Sequence, residues 1–127
     1  MIKQIVSIED EAEISELLSV VLDSPQAALI QTYDAYSGLD AIRELHPDLV
    51  ILDIMLPDLD GWSVYRILRE EIGLLDIPVL VLTVLRREFL QPRPQLLDPR
   101  DVYMTKPFDA MHLRQEVESM LGMRLWA

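Results

Sequence analysis

At 127 residues, half of them apolar, with a formal net charge of −11 and no cysteine, the chain reads as one ordered domain large enough to bury a core. The missing cysteines exclude disulfide, thiolate and zinc-thiolate chemistry and suit a reducing compartment. The acidic balance argues against sequence-independent nucleic-acid binding, no apolar run approaches a membrane span, and no basic-then-apolar leader opens the chain, so a cytoplasmic protein is expected.

Gln4 to Ile8 is read as a first strand running directly into Glu9, Asp10 and Glu11. A helix follows on which Ile14, Leu17, Leu18 and Val21 fall at the spacing of one buried face, and Ser24 with Pro25 ends it. Ala28 to Thr32 is a second strand. Ser37 to Asp40 resembles a capping box with Asp in place of Glu and opens a short helix with Leu39, Ile42 and Leu45 inward. His46 before Pro47 stops that helix, because the residue preceding a proline is pushed out of the helical region. Leu49 to Leu52 is an uninterrupted apolar run, the mark of a strand covered on both faces, and it ends abruptly on Asp53. Pro57, Asp60 and Gly61 turn the chain into a third helix marked by Val64, Ile67, Leu68 and Ile72 and closed by Gly73. Ile77 to Thr83 is a fourth strand ending on a hydroxyl. Beyond it Arg86 to Leu90 starts a helical pattern, but Pro92, Pro94 and Pro99 each remove a backbone donor, so a fourth helix of one or two turns, or none, is expected. Val102 to Met104 is the fifth strand and leads into Thr105, Lys106 and Pro107. Asp109 caps the last helix, with Phe108 and Leu113 placed as a hydrophobic staple and Leu113, Val117, Met120 and Leu121 as its core face.

Alternating strands and helices imply right-handed crossovers and an α/β, (βα)₅ doubly wound parallel sheet. Residues 1–122 form the expected domain, with 123–127 a tail too short for an output module. In such sheets ligands sit at the C-terminal strand edge. If the first and third strands are neighbours, Glu9, Asp10 and Asp53 crowd into one space where like charges disfavour joint ionisation, and a hard divalent cation, Mg²⁺ or Mn²⁺, fits the oxygen ligands. Singly, each residue has an ordinary explanation: Asp53 as a turn cap, Lys106 as a solvated strand-end lysine, Thr83 as a β-former and Tyr103 as a core-edge aromatic. His46 and His112 lack metal-ligand spacing and read as surface residues, Trp62 and Trp126 as packing groups.

Taken in order, Glu9 with Asp10, Asp53 with Pro57 and Gly61, Thr83, and Lys106 with Pro107 together resemble the receiver domain of bacterial response regulators, over essentially the whole chain. The resemblance implies a flavodoxin-like sheet of order 2-1-3-4-5 and a phosphorylation-dependent switch of a two-component phosphorelay rather than a turnover enzyme. It implies that Asp53 accepts a phosphoryl group from a histidine kinase or histidine phosphotransfer protein. Asp10 and Asp53 would ligate Mg²⁺ directly with the Met55 carbonyl, and Glu9 mostly through water. Lys106 would pair with the acyl-phosphate oxygens, Thr83 would bond to one of them, and Tyr103 would be the switch aromatic that turns inward. Because a carboxylate is a weak nucleophile, transfer relies on positioning and on positive charge from metal and lysine. The expected partners are the phosphodonor protein and a downstream effector, without direct nucleic-acid or membrane binding, the chain being a monomer or weak dimer.

Departures from the family pattern carry their own expectations. Val84 stands where a small residue is usual and would narrow access to Asp53. Met55 and Leu85 offer nothing to orient an attacking water, which implies a long-lived acyl phosphate. The proline-rich stretch lacks the Gly-Ala that usually precedes the fifth strand, which bears on the family's dimer face of helix four, strand five and helix five. The alternative is a degenerate receiver that binds partners without phosphorylation. A phosphatase of the haloacid dehalogenase type would want a second Asp where Met55 stands, and in a flavin-binding flavodoxin-like protein Glu9 to Glu11 would repel the cofactor phosphate.

Overall fold

Strands β1 (Lys3–Ile8), β2 (Ala27–Thr32), β3 (Leu49–Leu52), β4 (Val79–Thr83) and β5 (Val102–Thr105) are connected through helices α1 (Ala12–Val21), α2 (Ala35–Leu45) and α3 (Gly61–Glu70), with α4 (Ala110–Leu121) last, in a computed structural model that describes residues 2–71, 73–84 and 98–126. All strand pairs are parallel and the order is β2-β1-β3-β4-β5, as expected. The order reverses between β1 and β3, the switch point at which the crossovers diverge and leave a crevice.

Strand alternation divides the core in two. Val6, Ile8, Val50, Leu52, Val79 and Val81 point to one face and meet Ala35, Leu39 and Ile42 of α2 and Trp62, Val64, Tyr65 and Leu68 of α3. Ile5, Leu49, Ile51, Leu80 and Leu82 point to the other, against Leu18 and Val21 of α1 and Leu113, Val117 and Leu121 of α4. Each fully buried leucine or isoleucine contributes about 1.5–3 kcal/mol, so the two layers hold the sheet from both sides.

Local readings needed adjustment in several places. On α1, Leu17 is 44% exposed, and Ser15 takes its place on the buried side with Leu18 and Val21. α2 starts at Ala35 and not after Ser37, because the Asp34 carboxylate accepts the Ser37 amide at 2.8 Å and nucleates the helix three residues earlier than the capping-box reading placed it. α3 ends at Glu70 with Glu71 as its cap, and Gly73, with φ +94, belongs to the turn beyond it. His46, by contrast, does end α2 in the left-handed conformation, with φ 46. Ile72, Leu85, Pro92, Pro94 and the expected fourth helix lie outside the described residues. Pro99 is described, in a turn. The staple and cap of α4 form as read: Asp109 accepts the Met111 amide at 2.9 Å, and Leu113 and Phe108 join the same cluster.

Past Gly122 the chain folds back on the domain. The Glu118 carboxylate accepts the Leu125 and Trp126 amides at 2.7 and 3.0 Å, Leu125 is buried, and the Trp126 indole donates to the Asp23 carbonyl at 2.8 Å. Among the described residues no helix is long and apolar enough to cross a membrane.

Gly61, the first residue of α3, packs against the chain leaving β3. A Cβ there would lie 2.4 Å from Ile54 Cα and 2.7 Å from the Asp53 carbonyl oxygen, both backbone atoms that cannot swing aside. Gly61→Ala is expected to cost about 2 kcal/mol and to shift the loop after Asp53. A urea midpoint equal to that of the wild type would show that the backbone yields.

Candidate functional site

Ile8 of β1 is in register with Leu52 of β3, so the residues that follow leave the sheet side by side: Glu9, and Asp53, whose amide still donates to the Ile8 carbonyl at 3.0 Å. Thr83 ends β4 opposite Thr105 of β5, and the next residue, Lys106, donates its amide to the Thr83 carbonyl at 2.9 Å. Strand register alone therefore gathers four separated sequence signatures at one edge. The Lys106–Pro107 bond is cis.

Glu9 and Asp53 are only 2% and 3% exposed and Thr83 is fully buried, whereas Asp10 and Glu11 face solvent. Lys106 Nζ lies 2.5 Å from Glu9 Oε1, 3.0 Å from Asp53 Oδ2 and 3.4 Å from Glu11 Oε1. The second oxygens of the two buried acids take backbone donors: the Glu11 amide on Glu9 Oε2 at 3.1 Å, and the Met55 amide on Asp53 Oδ1 at 3.0 Å. Both carboxylates are thus fixed in rotation as well as in place.

Among the described residues, charge in this pocket does not balance. Glu9, Asp10 and Asp53 each bring a carboxylate oxygen within 4.8 Å of the others, against one ammonium. Burial pushes the Glu9 carboxyl up to about 7, further than the bonds from Lys106 and the Glu11 amide draw it back, and Asp53 adds to the rise. For Lys106 burial works against the charge, but the bonds to Glu9 and Asp53 outweigh it and the ammonium is held more firmly than usual. Lys106 thus stays charged at neutral pH while Glu9 titrates. An all-oxygen donor set with an excess of negative charge is the chemistry that a hard cation such as Mg²⁺ takes up, and the residues present fit it.

Thr83 is placed differently from the acids. Its Oγ1 is buried and, among the described residues, has no hydrogen-bond partner, at a cost of about 1–3 kcal/mol. Tyr103 is half-buried and packs against the core on the α2 and α3 face. Val84 and Met55 are 54% and 52% exposed, apolar groups flanking Thr83 and Asp53 in sequence. His46 is exposed with its ring against the Gly73 carbonyl, and His112 is exposed beside Glu116, so neither joins the site. Sequence reading did not foresee the Glu11 contact to Lys106, nor that in this state Lys106 sits directly on Glu9. The signal for the first was present, since Glu11 continues the acidic run after β1.

Residues 5–118 match the family described as Response regulator receiver domain. A curated relative, the DNA-binding dual master transcriptional regulator RpaA of Synechocystis sp., is 38% identical over 119 residues, covering 93% of this chain and 48% of its own length, so the chain spans about half of that relative. The signal receiver domain of a signal transduction histidine kinase from Syntrophus aciditrophicus is similar in structure, with a TM-score of 0.80 at 26% identity, covering 94% of this chain and 90% of its own. The fold is shared with the receiver domain of the sensor histidine kinase PA1611 from Pseudomonas aeruginosa PAO1, at a TM-score of 0.81, 22% identity and coverage of 96% and 99%; that structure has a magnesium ion coordinated in its active-site cleft. With sequence and fold agreeing over nearly the whole length, the chain belongs to the response regulator receiver domain family.

Proposed function

We propose that this domain is a phosphorylation-dependent signalling switch in which Asp53 accepts a phosphoryl group from a histidine kinase or histidine phosphotransfer protein. The observation that carries the reading is the convergence of Lys106 on Asp53 and Glu9 at 3.0 and 2.5 Å in a buried pocket, an arrangement a solvated lysine and a turn-capping aspartate would not adopt. In the step, an Asp53 carboxylate oxygen forms a bond to phosphorus as phosphorus parts from the donor's imidazole nitrogen, which keeps the electron pair and takes a proton. Asp10, Asp53 and the Met55 carbonyl, with Glu9 beside them, would hold Mg²⁺, or Mn²⁺ in its place, and the ion would supply positive charge to the transferring group. Lys106 then turns from carboxylate to phosphoryl oxygens, and the Thr83 hydroxyl, unpartnered among the described residues, donates to another. A dianionic group that draws both inward favours one of two packings of the loops after β4 and β5, with Tyr103 following Thr83.

The receiver unit is residues 1–122, and residues 123–126 pack back against it. It is a regulatory element without turnover of an external substrate, working in the cytoplasm as a monomer or weak dimer and passing its state to an effector. Its net charge of −11 argues against DNA contact by this chain itself, whatever the rest of a longer relative does. Mg²⁺-dependent labelling by a small phosphodonor tests the reading, and no label under forcing conditions would favour a scaffold that acts without phosphorylation. Since Met55 has no polar group to orient water, the phosphorylated domain is expected to lose its phosphate over minutes or longer. Decay within seconds in the purified protein with Mg²⁺ would contradict this.

A further inference from the structure

The loop from Ile54 to Asp60 carries Met55 past Asp53 and is pinned at both ends, by the Met55 amide on Asp53 Oδ1 at 3.0 Å and by the Gly61 amide on the Ile54 carbonyl at 2.9 Å. Between these points Asp58 reaches out of its own loop. Its Oδ1 accepts the Ala35 amide at 2.9 Å and its Oδ2 the Tyr36 amide at 3.2 Å. These are the first two amides of α2, which helix geometry leaves without intrahelical partners and which stand at the positive end of the helix dipole. The Ala35 amide, with Tyr36 behind it, outweighs a small desolvation cost and holds the Asp58 carboxyl below the usual range, so the acceptor is charged and its bonds are of the stronger, charge-assisted kind.

α2 does not need this link for capping alone. Asp34 already serves as its N-cap, taking the Ser37 amide at 2.8 Å and the Ser37 hydroxyl at 2.9 Å. The helix start is therefore divided between two carboxylates, one local and one belonging to the loop that leaves Asp53.

We propose that Asp58 is a positioning residue that fastens the Met55 loop to the start of α2, so that the Met55 carbonyl is presented to a divalent cation from a rigid support. The inference rests on the phosphoacceptor reading of Asp53. Groups that hold a ligand-bearing element from behind commonly change metal affinity when removed.

Asp34→Ala is the control, since it weakens the same helix start without touching the loop. In the metal-free protein, amide relaxation of residues 55–59 measures loop order; with MgCl₂ alone as the probe, calorimetry measures affinity. Asp58→Ala is expected to loosen the loop and weaken Mg²⁺ binding about tenfold, whereas Asp34→Ala leaves loop order unchanged and affinity within about twofold. If Asp58→Ala does not fold, Asp58→Asn, which keeps size and one acceptor oxygen, should show a smaller loss in the same direction. Equal loop order in the Asp58 variant and the wild type, unchanged affinity, or an equal loss in Asp34→Ala would each overturn the proposal. Wild-type protein that takes up no Mg²⁺ would instead remove the underlying reading of the site, and the positioning role with it.

Discussion

Asp53→Ala is expected to abolish phosphoryl uptake from a small phosphodonor with Mg²⁺, while Thr83→Ala is expected still to take up label. The contrast follows from what each side chain does in the pocket. In the proposed step Asp53 supplies the oxygen that forms the bond to phosphorus. Glu9 is occupied by Lys106 at 2.5 Å and by the Glu11 amide at 3.1 Å, and Asp10 lies at the exposed rim. Thr83 has no partner to lose among the described residues, so its removal relieves a buried orphan hydroxyl without touching Asp53, and its expected defect is in the loop response after phosphorylation. Intact-mass measurement with and without Mg²⁺ reads the first effect, and amide shifts around Lys106 read the second. Label that persists in Asp53→Ala would place the acceptor elsewhere, and equal loss in both variants would point to a general collapse of the edge.

Much of this edge was legible because strand ends are punctuated in the sequence. Apolar runs that stop on Glu9, Asp53 and Thr83 announce both the strands and the edge, and parallel pairing carries the register forward by one residue to each functional group. Helix details were less legible. The rotation of α1 that exposes Leu17 and buries Ser15 is decided by packing against the sheet, which periodicity alone cannot see. Asp58 and Asp101 were passed over for a related reason: each looks like an ordinary acidic loop residue, and each owes its role to amides brought to it from distant parts of the chain.

Asp101 carries the largest expected effect on stability. It lies just before β5, its side chain is fully buried, and every bond it accepts comes from another element: the Tyr65 hydroxyl at 2.5 Å, the Arg69 guanidinium at 2.7 and 3.3 Å, and the Val79 amide at 2.8 Å. Tyr65 in turn accepts the Asp98 amide at 2.8 Å, so α3, the start of β4 and the approach to β5 are tied in one knot at the opposite end of the sheet from Asp53. Asp101→Ala leaves the largely buried Arg69 without its counter-charge and orphans the Val79 amide, and is expected to cost about 3–5 kcal/mol, or roughly 10–20 °C in Tm. Tyr65→Phe, which breaks a single branch, should cost about 1–2 kcal/mol. Burial, then the bond to Asp101, raises the Tyr65 hydroxyl above its ordinary value. A group shifted in that direction stabilises fully below the unfolded tyrosine value of about 10 and loses its contribution as pH climbs through the folded value. The difference in phenolate absorbance between wild type and Tyr65→Phe should accordingly emerge only above that pH, together with unfolding. Because the knot lies at the far end of β5 from Lys106, Asp101→Ala should still take up phosphate at a temperature where it remains folded. A loss of less than about 1 kcal/mol in urea would mean that water replaces the carboxylate without penalty and that the knot is no anchor.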